Sequence, residues 1–483
     1  MPATNLVIFM ADQHSRKALG CYGHPLARTP HIDALAARGT RFAHAYTNSP
    51  LCVPARACFA TGRHLHEIGY WDNAIAYDGR VKGWGHRLLE AGREFVSIGK
   101  LHYRFADDPI GVGEQLIPMH IARGRGDVLG LIRPDVPERP QSARLAEEVG
   151  AGETEYTRYD RDIADHACAW LAGRAKQQAD TPWTLFVSFI APHFPLIVPA
   201  DYLDLYARDD IPLPKPADRA YFDSHPWWKA FNASYTFDRY FRDDEHRRLA
   251  IACYFGLCSF VDAQIGRVMD ALAESGLARE TTVAYTSDHG ENLGARGLWG
   301  KSTMYEESAG IPLILAGPDI PEGRTVQTPV SLVDFNPTVL DCAGLETLPG
   351  DALLPGRSLR RLAAAPDDPE RIILSEYHAA ASISAAYMLR RGQYKYIHYT
   401  GCAPELFDLS RDPEELENLA AKDELTPVRA ALEALLRATL DPEATDRRAK
   451  QDQARVLAAH GGREAILKTG GIHGTPPPDG YRS

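Results

Sequence analysis

The sequence predicts an α/β protein with a large, mostly parallel sheet flanked by helices and a smaller C-terminal α+β subdomain. Three observations support this prediction. Short apolar segments alternate with helical patterns over roughly the first 350 residues, as in parallel α/β sheets. Several apolar segments end directly in polar residues, as buried parallel strands do at a ligand site. From about residue 370 the alternation gives way to consecutive short strands.

Four predicted strands deliver polar residues to one edge of the sheet. The strands are Leu6–Met10, Phe95–Ile98, Trp183–Ile190 and Thr281–Thr286. In open parallel sheets, ligands gather beyond the carboxyl ends of the strands. The residues that fall there are Asp12, Lys100, His193, Asp288 and His289. We therefore expect a charged functional site at this edge.

Helix signals account for the segments between the strands. A helix is expected over 29–39 and a long one over Arg247–Leu277. Pro54 suits a first turn and Gly62 a helix end, so Cys52 should lie at a helix N-terminus, where N–H groups and the dipole favour an anion. From this position alone, Cys52 is either a thiolate nucleophile with a low pKa or a buried structural cysteine.

The pattern divides the chain into three parts. Residues 1–369 form the predicted α/β domain, which carries the functional site, and residues 370–440 form an antiparallel-sheet subdomain. The polar tail, 441–483, is expected to lie on this chain or on a neighbouring subunit.

One stretch interrupts the first part. Residues from about 195 to 245 are rich in Pro, Asp and aromatic residues, which is typical of a long functional loop. Trp227 and Trp228 within it are candidate walls of a substrate pocket.

Composition limits the partners and the compartment. With 53 Lys+Arg against 64 Asp+Glu, the formal charge is −11, which disfavours nonspecific binding to nucleic acid or anionic membranes. The eight cysteines form no Cys-x-x-Cys pair, which argues against a disulfide framework and a zinc knuckle. Since the N-terminal residues lack a basic signal-peptide region and no apolar run is long enough for a membrane span, we expect a cytoplasmic protein.

The most informative motif is Cys52-Val53-Pro54-Ala55-Arg56, followed by Thr61-Gly62-Arg63. It resembles the signature of the sulfatases of the alkaline phosphatase superfamily, in which the cysteine is oxidised after translation to formylglycine. The resemblance spans nearly the whole chain. Further matching segments are Ala11-Asp12-Gln13, Thr29-Pro30-His31-Ile32-Asp33, Gly99-Lys100-Leu101-His102, Ala191-Pro192-His193, Ser287-Asp288-His289-Gly290-Glu291, Gly297-Leu298-Trp299-Gly300-Lys301, Val333-Asp334-Phe335-Asn336-Pro337-Thr338 and Glu405-Leu406-Phe407-Asp408-Leu409. The resemblance implies an alkaline-phosphatase-like fold and the hydrolysis of a small sulfate monoester.

The resemblance also implies a single divalent cation. Its ligands would be Asp12, Gln13, residue 52 in its formylglycine form, Asp288 and His289. A typical sulfatase has an aspartate at the position of Gln13 and an asparagine at that of His289, and binds calcium. Gln13 and His289 match the related phosphonate monoester hydrolases instead. Because this set has less negative charge and more nitrogen, we favour Mn²⁺ and keep Ca²⁺ as the alternative.

The remaining implied roles belong to side chains around residue 52. By resemblance, Arg56 holds the hydrated formylglycine, Lys100 and Lys301 contact sulfate oxygens, His193 lies by the leaving group, and His102 is the base of the second half-reaction. Asn73 either donates to a substrate oxygen or serves in a turn.

The implied mechanism has two half-reactions. A hydroxyl of the hydrated aldehyde attacks sulfur, and the alcohol or phenol leaves with a proton from His193 or Lys301. His102 then takes the proton of the remaining hydroxyl, and sulfate is expelled as the aldehyde reforms.

Three other interpretations stay open. A phosphonate monoester or phosphodiester hydrolase would use the same formylglycine, and choline sulfate is a candidate substrate because several segments are similar to choline-sulfatase-like proteins. A noncatalytic anion-binding protein would leave Cys52 unoxidised. As partners, the resemblance implies an enzyme that generates formylglycine and further copies of this chain, in a dimer or tetramer.

Overall fold

The structure is a computed structural model and describes residues 1–133, 135–177, 181–470 and 474–480. The strands are β1 Asn5–Asp12, β2 Thr40–Phe42, β3 Ala45–Tyr46, β4 Glu94–Lys100, β5 Glu114–Met119, β6 Val149–Ala151, β7 Trp183–Pro192, β8 Leu196–Val198, β9 Thr281–Ser287, β10 Leu313–Ala316, β11 Arg324–Val326, β12 Val330–Ser331, β13 Ile373–Tyr377, β14 Ala386–Arg391, β15 Tyr394–Tyr399 and β16 Glu405–Asp408. The α-helices are α1 Pro30–Ala37, α2 Cys52–Thr61, α3 Leu65–Ile68, α4 Trp84–Glu90, α5 Arg144–Glu147, α6 Glu155–Arg174, α7 Ala200–Leu203, α8 Arg219–Ser224, α9 Pro226–Ser234, α10 Asp244–Glu274, α11 Glu306–Ala309, α12 Phe335–Cys342, α13 Leu359–Ala364, α14 Thr426–Thr439, α15 Pro442–Ala459 and α16 Gly462–Thr469.

The central sheet has eight strands in the order β11-β2-β10-β9-β1-β7-β4-β5. The five strands from β9 to β5 are parallel, whereas β10 runs antiparallel to both β9 and β2. The pairing registers place Asp12 beside Pro192 and Ala11 beside Ser287. The predicted α/β architecture is therefore confirmed, and the polar segments that follow β1, β7 and β9 meet at one edge.

Strand β1 explains why helices cover both faces of the sheet. Its side chains alternate between two cores: Val7 and Phe9 pack on one face, and Leu6, Ile8 and Met10 pack on the other. The first core includes the long helices α6 and α10, and the second includes α2 and α12. Because both faces are apolar, the strand has to be covered on both sides.

Helix α10 corrects one expectation. It is long and apolar enough to cross a membrane by length and composition, whereas the sequence was expected to contain no such run. However, 89% of its apolar window is buried inside the protein, so α10 is a core helix.

The C-terminal part contains a separate antiparallel sheet in the order β13-β14-β15-β16. Leu432 and Leu436 of α14 pack against this sheet. This confirms the smaller α+β part of the fold. The expected boundaries at 369 and 440 stay predictions.

The stretch from 195 to 245 is not a long loop. It forms β8 and three helices, α7, α8 and α9. Trp227 and Trp228 are almost fully buried and pack against Tyr399 of the C-terminal sheet, so they are not pocket walls. The Pro-Trp-Trp motif instead begins α9, whose apolar side joins the two parts of the protein.

The polar tail lies on its own chain. Asp446 of α15 faces the buried Arg133 at 3.5 Å, and Gln453 Nε2 donates to Asp72 Oδ2 at 2.7 Å. The tail therefore folds against the protein by burying paired polar groups, which an apolar-periodicity argument does not detect.

Candidate active site

Four side chains converge beneath a cavity at the carboxyl edge of the sheet. Asp12 ends β1, Asp288 and His289 follow β9, and Cys52 is the first residue of α2. All four are buried, and their ligand atoms lie within 4.8 Å of one another. Cys52 Sγ is 3.2 Å from Nε2 of His289 and 3.7 Å from Oδ1 of Asp12. These four residues and Arg56 are called the floor below.

The floor has the donor chemistry of a divalent-cation site. His289 Nδ1 donates to the carbonyl oxygen of Gly290 at 3.0 Å, which leaves the lone pair on Nε2. Burial lowers the pKa of His289, so its imidazole is neutral and able to bind a metal. Two carboxylates and one imidazole nitrogen on one side of the cavity suit a borderline cation such as Mn²⁺ and also accommodate Ca²⁺.

Arg56 fixes the two carboxylates. Its Nε donates to Asp288 Oδ2 at 2.9 Å, and an Nη lies 3.5 Å from Asp12 Oδ2. The other Nη donates to the carbonyl oxygen of Lys100 at 2.6 Å and to Ser188 Oγ at 2.9 Å. In this structure Arg56 thus bonds to the carboxylates of Asp12 and Asp288, and its contact with a hydrated residue 52 stays a prediction.

Two lysines balance the negative charge of the floor. Lys100 Nζ is 2.6 Å from Asp12 Oδ2, and Lys301 Nζ donates to Cys52 Sγ at 2.9 Å. Burial alone would raise the pKa of Asp12, but neighbouring basic groups, Lys100 foremost among them, hold it well below its ordinary value. Asp12 is therefore ionised, and both lysines line the cavity beside it.

The Gln13 side chain forms two hydrogen bonds that the sequence did not predict. Its Oε1 accepts from Lys301 Nζ at 2.8 Å, and its Nε2 donates to Glu291 Oε2. Glu291 is buried and also accepts the backbone N–H groups of Leu293 at 2.8 Å and Gly300 at 2.6 Å. Glu291 was recognised only as part of a motif, and a ligand role for Gln13 stays a prediction.

The expectation of a low-pKa thiolate at position 52 is wrong. Burial and the neighbouring Asp12 raise the pKa of the Cys52 thiol to about 11, although Lys301 and Lys100 act in the opposite direction. A helix N-terminus does not compensate for the loss of water here. An unmodified Cys52 would therefore be protonated and a poor nucleophile.

Two histidines line the cavity above the floor. His193 Nδ1 donates to the carbonyl oxygen of Phe194 at 2.7 Å, and its Nε2 is 4.0 Å from Asp12 Oδ1. His102 Nε2 is 2.8 Å from the hydroxyl oxygen of Thr475. Burial, reinforced by Lys301 for His193 and by Lys100 for His102, holds the pKa of each imidazole well below its ordinary value. Both histidines are neutral in this environment.

Asn73 lies in a turn, as one of its two predicted roles requires. Its Oδ1 accepts the N–H of Val53 at 3.1 Å, which satisfies a donor in the first turn of α2. The same side chain also lines the cavity. A hydrogen bond to substrate stays a prediction.

The cavity has a volume of about 170 Å³ and is bounded by residues from distant parts of the chain. On the catalytic side it is lined by Cys52, Asn73, Lys100, His102, His193 and Lys301. Six further lining residues, called the rim below, are Phe194, Tyr235, Phe237, Ala379, Ala380 and Thr475. The rim residues carry no motif and are scattered along the chain, so the sequence alone does not identify them as a group.

The charged groups near the rim are paired within the protein. Arg139 lies 2.6 Å from Asp127 Oδ2, and Asp72 accepts from Gln453. The exposed lining is predominantly apolar. The cavity therefore suits a compact leaving group beside a strongly polar reaction centre.

Comparison with known proteins gives matches along most of the chain. The family model described as Sulfatase matches residues 4–98 and 128–345, and the model described as N-sulphoglucosamine sulphohydrolase, C-terminal, matches residues 294–441. The choline-sulfatase of Rhizobium meliloti (strain 1021) is 31% identical over 460 residues, covering 93% of this chain and 90% of that protein. Arylsulfatase K of Rattus norvegicus is 32% identical over 468 residues, covering 91% of this chain and 78% of that protein.

A solved structure gives the same fold. The phosphonate monoester hydrolase of Agrobacterium radiobacter superposes with a TM-score of 0.72 at 23% identity, covering 90% of this chain and 95% of that one. At this identity the similarity concerns the fold.

Proposed function

The chain belongs to the sulfatase family and is a sulfuric ester hydrolase, and we propose that residue 52 is its nucleophile, after conversion of Cys52 to formylglycine. The observation that carries this proposal is the convergence of Cys52 with Asp12, Asp288 and His289 at the bottom of a cavity. Since the unmodified thiol is protonated there, a more reactive group at position 52 is chemically needed. The Sγ atom marks the place of an oxygen of the hydrated aldehyde.

The conversion of Cys52 requires a maturation enzyme as a partner. Cys52 is 1% exposed in the folded protein, and it lies within α2 beneath the cavity. We infer that such an enzyme acts on the chain before α2 is packed into place.

The metal would be held by Asp12, Asp288, His289 and an oxygen at position 52, with Gln13 beside them. When bound, the cation neutralises the nonbridging sulfate oxygens and acidifies the hydroxyl at residue 52. Mn²⁺ is the proposed ion and Ca²⁺ the alternative, because the donor set includes the neutral nitrogen of His289.

The protein's own groups position the ester and assist departure of the alcohol. Lys100 and Lys301 present two cationic groups to the sulfate oxygens, and Arg56 holds the carboxylates in place. Lys301 carries protons at Nζ, whereas neutral His193 uses its Nδ1 proton toward Phe194. This geometry favours Lys301 as the donor to the leaving oxygen, with His193 Nε2 orienting that oxygen.

His102 serves as the base that ends the catalytic cycle. Its imidazole is neutral and lines the cavity beside Lys100. It takes the proton of the hydroxyl that remains on residue 52, so that sulfate is expelled as the aldehyde reforms.

Two related substrates are carried as alternatives. Gln13 and His289 favour a phosphonate monoester or phosphodiester, whose hydrolysis would use the same residue 52. Choline sulfate is suggested by the similarity to a choline-sulfatase and by the aromatic residues Tyr235 and Phe237 at the rim.

The deciding experiment is the ratio of kcat/KM for an aryl sulfate and an aryl phosphonate monoester, on protein matured in the presence of a formylglycine-generating enzyme. Cys52→Ala is the blank, and the mass of the peptide containing residue 52 verifies the conversion. A ratio that favours sulfate is expected. A ratio that favours phosphonate would replace the sulfatase assignment, and absence of the mass change on active protein would remove formylglycine from the mechanism.

We also propose that the protein acts in the cytoplasm as a dimer or tetramer. The cysteines, which form no disulfide among the described residues, support the compartment, and the family resemblance supports assembly. Light scattering of the purified protein tests the assembly, and a monomer at micromolar concentration would overturn it.

A further inference from the structure

A residue of the C-terminal segment lies inside the catalytic cavity. Thr475 Oγ1 is 2.8 Å from Nε2 of His102, although 373 positions separate the two residues in the chain. Tyr156, at the start of α6, donates its hydroxyl to the backbone carbonyl oxygen of Thr475 at 2.7 Å. Gly474 has φ +107°, and a Cβ there would lie 3.2 Å from the Tyr156 hydroxyl oxygen. The segment is therefore held at a specific place by close contacts.

The His102 imidazole depends on this contact. Within the described residues, Nε2 bonds to Thr475, whereas Nδ1 is buried and has no hydrogen-bond partner. The backbone of His102 has φ +57°, a conformation that non-glycine residues rarely adopt. The ring is thus oriented by an unusual backbone on one side and by the Thr475 hydroxyl on the other.

We propose that Thr475 is a positioning residue for His102: its hydroxyl oxygen accepts a hydrogen bond from the Nε2–H group, so that the lone pair of the imidazole lies on Nδ1. This inference rests on the proposed function, because it needs His102 as the base of the second half-reaction. A neutral imidazole has one protonated nitrogen, and a partner on that nitrogen selects the tautomer.

The step that depends on this tautomer is an elimination. Nδ1 takes the proton from the remaining hydroxyl of residue 52, and the electron pair of that O–H bond becomes the second bond of the aldehyde carbonyl. The carbon–oxygen bond to the sulfate breaks, and sulfate leaves with the electron pair of that carbon–oxygen bond. No oxidant or further reactant is consumed.

Tyr156 links this contact to the other histidine. Its ring meets that of His193 edge to face, with centroids 6.3 Å apart, while its hydroxyl holds the Thr475 carbonyl. Tyr156 therefore fixes the position of the C-terminal segment relative to both His193 and His102.

The test is a split of kinetic constants in Thr475→Val, which keeps the shape of the side chain and removes the hydroxyl. If the second half-reaction becomes limiting, kcat and KM fall together by about 10- to 100-fold, and kcat/KM changes little because it reports the first half-reaction. Thr475→Ser should restore the wild-type constants. The matched control is Thr469→Val, because among the described residues the Thr469 hydroxyl bonds only to the carbonyl of Ile466 in its own helix.

A second measurement keeps the proposal testable if the variant loses stability. Thr475→Val quenched during turnover should retain a covalent sulfuryl group on residue 52 by intact mass, and Tyr156→Phe should show a weaker form of the same effect. An unchanged kcat, or a loss in kcat/KM with no retained sulfuryl group, would overturn the role of Thr475.

The inference and the proposed function can fail separately. If matured wild-type protein does not hydrolyse aryl sulfates, the proposed function fails. If wild type is active and His102→Ala accumulates the sulfuryl group but Thr475→Val does not, only the role of Thr475 is overturned.

Discussion

The floor and the rim of the cavity are built in different ways. Floor side chains have several bonds each: Asp288, for example, accepts from Arg56 and from the backbone N–H groups of Gln13 and His289. They stand on the ends of central strands and on the first turns of α2. Rim side chains come from the segment after β7, the turn around 237, the segment after β13 and the C-terminal segment, and most contribute only a surface.

Because of this difference, we expect the floor to carry out the chemistry and the rim to select the substrate. Removing a charge from the floor leaves its buried neighbours without an opposite charge, which costs a large free energy in a site that excludes water. A ring removed from the rim changes the shape available to the leaving group and leaves the reacting atoms in place. We therefore expect floor substitutions to lower kcat/KM steeply and rim substitutions to act mainly on KM and substrate preference.

The largest effect is expected from Asp288→Asn. It removes a metal ligand's charge and half of the ionic partnership of Arg56, so kcat/KM should fall at least about 1,000-fold, which corresponds to about 4 kcal/mol. Metal content by mass spectrometry should fall below one ion per chain. The control is Asp441→Asn, since Asn caps a helix as well as the exposed Asp441 does. If Asp288→Asn keeps full metal and a tenth of the activity, the floor is wrongly assigned.

The next largest effect is expected on stability, at the ion pair between the C-terminal tail and Arg133. Asp446→Ala removes the carboxylate that faces buried Arg133, and the free energy of unfolding should fall by about 3 kcal/mol. The loss is near the lower end for a buried pair because Arg133 keeps acceptors on Ser382, His378 and Gln453. Urea unfolding measures it.

Glu443→Ala provides the contrast for that measurement, because Glu443 forms an exposed pair with Arg437 and should cost less than about 1 kcal/mol. Equal losses in the two variants would mean that α15 is not anchored through Arg133.

The fold and the floor were accessible from the sequence for a physical reason. Strand β1 is mostly apolar and β9 is rich in β-branched residues, and a polar residue directly after such a run must lie at the strand end, whatever the rest of the chain does. Asp12, Asp288 and His289 were placed in this way. The resemblance added Arg56, Lys301 and His102, which no strand pattern distinguishes from ordinary surface residues.

The rim and the tail were not accessible in the same way. Trp227 and Trp228 resemble loop aromatics in the sequence, but their helix α9 buries them against a sheet that begins 145 residues after Trp228. Thr475 follows a polar segment without periodicity, and only its contact with His102 gives it meaning. Such positions depend on long-range packing, for which a single sequence carries no local signal.

A smaller effect is expected behind the floor, at Glu291→Gln. The new amide would face the Nε2 amide of Gln13, so Gln13 must rotate and its Oε1 would leave Lys301. We expect kcat/KM to fall about 10- to 100-fold with little loss of stability, as for other residues that orient ligands. Glu274→Gln, at an exposed helix end, is the control. Unaltered activity would show that Lys301 is placed without Gln13.

The smallest effect is expected at the rim, from Phe237→Ala. The Phe237 ring stacks on Tyr235 with centroids 5.2 Å apart and closes one side of the cavity. Its removal should raise KM for a small aryl sulfate about three- to tenfold, near 1 kcal/mol, leave kcat within twofold, and improve bulkier aryl sulfates relative to small ones. Phe105→Ala, at an exposed ring, should change neither constant. If kcat instead falls 100-fold at constant KM, Phe237 acts on the reacting atoms, and the division between a chemical floor and a selective rim does not hold.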